Sequence, residues 1–78
     1  MKELLEYIAK NLVTNPDEVS VTEVSADSER SVVLELRVAK EDMGKVIGKQ
    51  GKIAKAIRLV MKAAAIKENT HVSVEIVQ

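Results

Sequence analysis

The sequence predicts a two-layer α+β domain with element order α-β-β-α-α-β, three helices packing on one face of a three-stranded sheet. Three observations lead there. Residues 32–38 and 72–76 alternate apolar with polar or mixed positions at a period of two, the mark of half-buried strands. Residues 4–13 and 53–64 repeat apolar positions at helical spacing. The chain has 78 residues, so one domain accounts for residues 1–78.

The first helix is expected from Lys2 to Val13, with Leu4, Leu5, Ile8, Ala9, Leu12 and Val13 on its apolar side. Pro16 biases Asn15 away from helical geometry and stops it by Thr14. Glu18 to Ala26 reads as a strand. Its valines fall in two phases, which a bulge or a twisted edge strand would reconcile. Asp27 to Arg30 is a polar turn. Ser31 to Ala39 is the clearest strand, with Val32, Leu34, Leu36 and Val38 on one face. Glu41 and Asp42 suit a helix start, and a short helix runs to Ile47. A longer helix follows from Lys52 to Lys67, with Ile53, Ile57, Val60, Met61 and Ala64 as its apolar stripe. Glu68, Asn69 and Thr70 close it, and His71 to Val77 is the last strand.

Composition narrows the function. Apolar residues make up 46 % and charged residues 31 %, which suits a folded soluble domain. Cysteine is absent, so disulfides, thiol nucleophiles and Cys-based zinc sites are excluded; a reducing cytoplasm fits. No apolar run approaches the roughly 18 residues of a membrane helix, and no signal-peptide core follows Met1. One histidine and no nucleophile–base pair argue against an enzyme, so no catalytic residue, metal or cofactor is expected. Met43 and Met61 read as core filler, Tyr7 as a packing residue, and His71 as a strand-end residue. Gly44 reads equally as a packing glycine and as one that opens space for a ligand.

The net charge is zero, yet its distribution is uneven. From Met43 to Lys67 there are seven basic residues and no acid; the other 53 residues carry a net −7. A phosphate backbone responds to the local field rather than to the total. Within the basic segment, Gly48-Lys49-Gln50-Gly51 links two helices. Its glycines permit a sharp turn and close approach of a ligand to the main chain. The next helix begins there, where free N–H groups attract anions. Helix starts normally prefer acids, yet Lys49, Lys52 and Lys55 stand here, each costing on the order of 0.3–1 kcal/mol. A bound polyanion would offset that cost.

The run from Val46 to Arg58, VIGKQGKIAKAIR, resembles the signature of a KH domain. The extra helix and strand at the N-terminal end resemble the type II topology, and the small size resembles the bacterial KhpA (YlqC-like) RNA-binding family. KH domains clamp about four nucleotides of a single strand with such a loop. The resemblance implies close backbone approach at Gly48 and Gly51, and phosphate contacts from Lys49 and Gln50. It implies aliphatic surface under the bases from Val46, Ile47 or Ile53, and a flanking field from Lys45, Lys52, Lys55 and Arg58. A sheet edge would form the other wall, with Arg37 as a contributor. One position departs from the pattern: Ala54 stands where the family often has a large aliphatic, and Ile53 precedes it. The lack of aromatic platforms suits a KH groove better than base-stacking sheets.

The expected function is therefore binding of single-stranded RNA with low sequence specificity, in post-transcriptional regulation or as an RNA chaperone. The alternative is a KH-fold docking module. The resemblance implies a homodimer, or pairing with a larger KH-containing protein of the KhpB (Jag, EloR) group. A P-loop is excluded by the loop's spacing. A helix-turn-helix is the nearer rival, and the two glycines and the downstream strand favour KH.

Overall fold

The computed structural model describes residues 1–24 and 30–77. Helix α1 spans Lys2–Lys10, strand β1 Ser20–Val24, strand β2 Ser31–Arg37, helix α2 Met43–Ile47, helix α3 Lys52–Lys67 and strand β3 His71–Val77. Short 3-10 turns at Pro16–Glu18, Lys40–Asp42 and Lys49–Gly51 join them. The sheet order is β1-β2-β3; β1 pairs antiparallel and β3 parallel with the central β2. The α-β-β-α-α-β order, with helices on one face of the sheet, is that of a type II KH fold.

The core lies between helices and sheet. Leu34 and Leu36 of β2, Val21 of β1 and Val74 of β3 meet Leu5 and Ala9 of α1, Val46 of α2, and Ile57 and Met61 of α3. At roughly 25 cal/mol per Å² of apolar surface, each of these larger side chains contributes about 1.5–3 kcal/mol.

Several boundaries differ from the sequence expectation. Helix α1 ends at Lys10 rather than Val13 because its last turn tightens. The Asn11 side chain donates to the Tyr7 carbonyl (2.7 Å), and the Leu12 amide bonds to Ala9 rather than one residue back (3.0 Å). Strand β1 starts at Ser20, because Pro16 opens a tight turn in which Glu18 and Val19 bond back to Asn15 and Pro16. The pairing from Ser20↔Arg37 to Val24↔Val33 is continuous, so β1 is an unbulged edge strand. The turn expected at 27–30 lies outside the described residues except for Arg30. Helix α3 begins and ends where expected. Asn69, in the left-handed region (φ 58), and a Thr70 amide bond to Ala65 (2.8 Å) close it.

The apolar stripe of α3 is rotated from the expected one. Ala54, Ile57, Met61 and Ala65 are buried, while Val60 is 46 % exposed. Ala54 stands against the interior, so Ile53 is turned toward the rim. Tyr7, read as a packing residue, is 68 % exposed.

Candidate nucleic-acid interface

The loop between α2 and α3 is a self-bonded turn. The Gly48 amide donates to Gly44 (2.9 Å), and the Gly51 amide donates to Gly48 (3.2 Å). The Lys52 amide donates to Lys49. The expectation of free N–H groups where α3 begins is corrected in part: the amides of Gly48, Gly51 and Lys52 are bonded within α2 and the turn. No side chain caps the N-terminus of α3. Gly48 (φ 75, ψ 174) sits in a region that side chains avoid, and a Cβ there would lie 2.6 Å from Ile53 Cγ1. Gly51 (φ 74) is left-handed, but a Cβ there would meet open space. Gln50 is also left-handed (φ 59). Glycine is thus required at 48 by packing and conformation, and at 51 by conformation alone.

The structure brings together Ile47, Gly48, Lys49, Gln50, Gly51, Lys52 and Ile53. Lys49, Gln50 and Lys52 are exposed, Ile47 is 38 % exposed, and Ile53 is half-buried. Lys55 follows one helical turn along. Val46 does not join the surface: it is 0 % exposed and packs beneath the loop, so its side chain supports the turn. Lys45 does not aim at the loop either. Its ammonium ion-pairs with Asp42 (3.6 Å) and donates to the Thr14 hydroxyl.

Arg58 stands farther along α3, where its Nε donates to the Val74 carbonyl (3.3 Å). It borders a surface cavity of about 320 Å³ with Lys62, Val72, Ser73 and Val74. The sheet edge facing the basic side of α3 is therefore β3. Arg37 is on the central strand, and Leu36 is buried toward the helices, so alternation turns Arg37 to the helix-free face. Lys62 counts in the sequence only as part of the basic segment and not among the expected binding residues, although its spacing from Lys55 and Arg58 puts all three on one stripe. Among the described residues, Lys49, Lys52, Lys55, Arg58 and Lys62 have no acidic partner within ion-pair distance.

Asp42 was read as a helix-start acid, and the structure gives it a different task. It is 0 % exposed, the one buried charged residue among those described. Its carboxylate accepts the amides of Thr14 (3.1 Å) and Asn15 (3.0 Å) and the Asn15 side-chain amide (3.1 Å). Burial alone would push this carboxyl up; the Thr14 and Asn15 amides, the Asn15 side chain and Lys45 outweigh it and hold the carboxyl below its ordinary value.

A family model described as "KhpA/KhpB, KH domain" matches residues 2–76. The chain belongs to the KhpA/KhpB KH-domain family. Its KhpA relatives are close. The RNA-binding protein KhpA of Clostridium acetobutylicum is 69 % identical over 77 residues, covering 99 % of this chain and 100 % of that protein. The protein of the same name from Chlamydia trachomatis is 47 % identical over 78 residues, covering 100 % of this chain and 97 % of that one. A solved structure of an Aquifex aeolicus Era variant bound to GDP and an aluminium fluoride matches at a TM-score of 0.65 and 20 % identity. It covers 96 % of this chain and 28 % of its own, a likeness of fold.

Proposed function

We propose that this KhpA/KhpB-family chain binds single-stranded RNA, with the Gly48–Gly51 loop clamping the backbone and little base selectivity. The observation that carries the reading is the line of cations on α3 that have no acidic partner among the described residues. Lys52, Lys55, Arg58 and Lys62 run from the loop along the helix, the last two beside the β3 edge. At about 1.5 Å per residue, Lys52 to Lys62 spans about 15 Å, room for two or three nucleotides beyond the loop. Lys49 and Gln50 meet phosphate at the tip. Ile47 and Ile53 offer aliphatic surface to the bases. The names of the relatives support RNA as the polyanion. No covalent chemistry is assigned to the chain, and its setting is post-transcriptional regulation or RNA chaperoning in the cytoplasm. No helix among the described residues is long and apolar enough to cross a membrane.

Titration of a labelled single-stranded RNA at several salt concentrations tests this. Three or four neutralised phosphates give a slope of log K against log salt of roughly −2 to −3. Lys49→Asp with Gln50→Asp is expected to abolish measurable binding. A flat salt response, or unchanged binding by that double variant, refutes the proposal.

A second reading, docking to a KH partner or to another copy, rests on a different observation. An apolar groove of about 530 Å³ runs between α1 and α3, lined by Leu4, Tyr7, Ile8 and Leu12 on one side and Ile53, Ala56, Ile57 and Val60 on the other, with Lys52 at its loop end. Sedimentation with and without RNA separates the two readings: a strict monomer that binds RNA counts against docking.

A further inference from the structure

Helix α2 has five residues, too few to hold its own conformation or direction. What fixes it must come from outside. Val46 anchors its middle in the core, and the bond from Gly48 to Gly44 ties the loop to its body. Its N-terminal end is held by Asp42. That residue occupies the cap position of α2, yet its side chain makes no bond to α2's own amides. The carboxylate reaches instead across 27 and 28 residues of sequence to the segment between α1 and β1. A buried carboxylate is expensive unless its lone pairs are satisfied, and here three N–H groups and the Lys45 ammonium satisfy them. Glu41 reinforces the join by accepting from the same Asn15 side chain (3.3 Å).

We propose that Asp42 is a positioning residue for nucleic-acid binding: its carboxylate clips the segment after α1 to the head of α2 and so sets the pose of the Gly48–Gly51 loop. The inference rests on the loop being the RNA clamp. From Asp42 to Gly48 is about 9 Å at helical rise, so a few degrees of tilt at the clip moves the loop by a fraction of an ångström. When the clip is broken, the loop samples other poses. A pose held one-tenth of the time raises the apparent Kd about tenfold without removing any phosphate contact. Lys45 then acts through Asp42 rather than on RNA.

The test compares Asp42→Asn with the parent chain by three measurements. A carboxamide turns a donor toward the N–H groups of Thr14 and Asn15, which breaks the clip at nearly constant volume. RNA affinity, measured where circular dichroism shows the variant folded, is expected to fall about tenfold with the salt slope unchanged. Amides 48–53 are expected to exchange hydrogen about tenfold faster without RNA, while those of β2 and β3 keep the parent rate. A purely structural role would lower the melting temperature and leave affinity and loop exchange in the folded variant as they were; that result overturns the proposal. Should Asp42→Asn fail to fold, Asn15→Ala removes one donor and keeps the carboxylate on two backbone amides. It is expected to shift both readouts about threefold, and unchanged loop exchange there overturns the proposal as well. Loop exchange is read with no RNA present. A parent chain that fails to bind RNA therefore sinks the RNA assignment, while the exchange data still decide whether the clip exists.

Discussion

The two flanks of α3 have opposite characters. On the β3 side, Arg58 and Lys62 stand over the edge of the sheet, with Lys55 one turn before them on the same stripe, and none of the three has an acidic partner among the described residues. On the α1 side, Ile53, Ala56 and Val60 face Leu4, Tyr7, Ile8 and Leu12 across an apolar groove. One sixteen-residue helix thus presents a charged edge and a greasy one, separated by about half a turn. A net charge of zero conceals this completely. The cations repel one another and none has an acidic partner among the described residues, so their arrangement makes sense against a polyanion. The groove, with Tyr7 and Val60 exposed, makes sense against apolar side chains.

The heaviest effect is expected where the flanks meet. Gly48 stands against Ile53, which belongs to the apolar side, while the turn that Gly48 opens belongs to the basic side. Gly48→Ala meets both a forbidden conformation and a clash, its Cβ 2.6 Å from Ile53 Cγ1, and is expected to cost about 3 kcal/mol. Gly51→Ala meets strain alone and is expected to cost about 1 kcal/mol. Urea denaturation of the two variants measures the gap. Equal losses would show that Ile53 yields and that the flanks are less tightly joined than their packing implies.

A crossed pair of variants tests the separation itself. Arg58→Ala with Lys62→Ala is expected to weaken RNA binding about tenfold and to make the salt slope shallower by about 1.4, with self-association unchanged. Val60→Asp is expected to do the reverse: RNA affinity held, and any self-association weakened by about tenfold or more. Salt-dependent RNA titration and sedimentation of both variants provide the check. If either variant moves both properties together, the two flanks serve one surface.

Most of the fold was legible because periodicity and breakers agree locally. The bounds of α3 follow from Gly51 before it and Glu68-Asn69-Thr70 after it. The loop was legible for the same reason, since paired glycines among lysines are a local signal. What escaped the sequence depends on distant partners. The Val46-Ile47 pair reads as two equivalent aliphatics, and only the placement of a short helix turns Val46 inward and Ile47 outward. Lys45 looks like one more cation in the basic run until Asp42 and Thr14 claim it. Asp42 carries an ordinary helix-start signature, whereas its partners lie at Thr14 and Asn15. Alternation with the buried Leu36 puts Arg37 on the face away from α3, and the central place of β2, set by pairing with distant strands, keeps it from the sheet edge.

Acid tests whether the two flanks are mechanically joined, with the smallest expected effect. Asp42 ties the segment leaving α1, which forms the apolar flank, to α2, which leads into the basic one. Its carboxyl is held below the ordinary carboxylate value in the folded chain. In the unfolded chain it titrates near the usual value of about 3.9. The stabilisation from this carboxylate is therefore complete above about pH 5 and shrinks as pH falls below that ordinary value. It is gone once the folded carboxyl is protonated too. Denaturation midpoints of the parent and Asp42→Asn, followed from neutral pH into acid, are expected to differ most at neutral pH and to converge below about pH 4. A constant difference across that range would mean that shape, rather than the charge accepting those three N–H groups, holds the segment in place. The join between the flanks would then survive acid that neutralises Asp42.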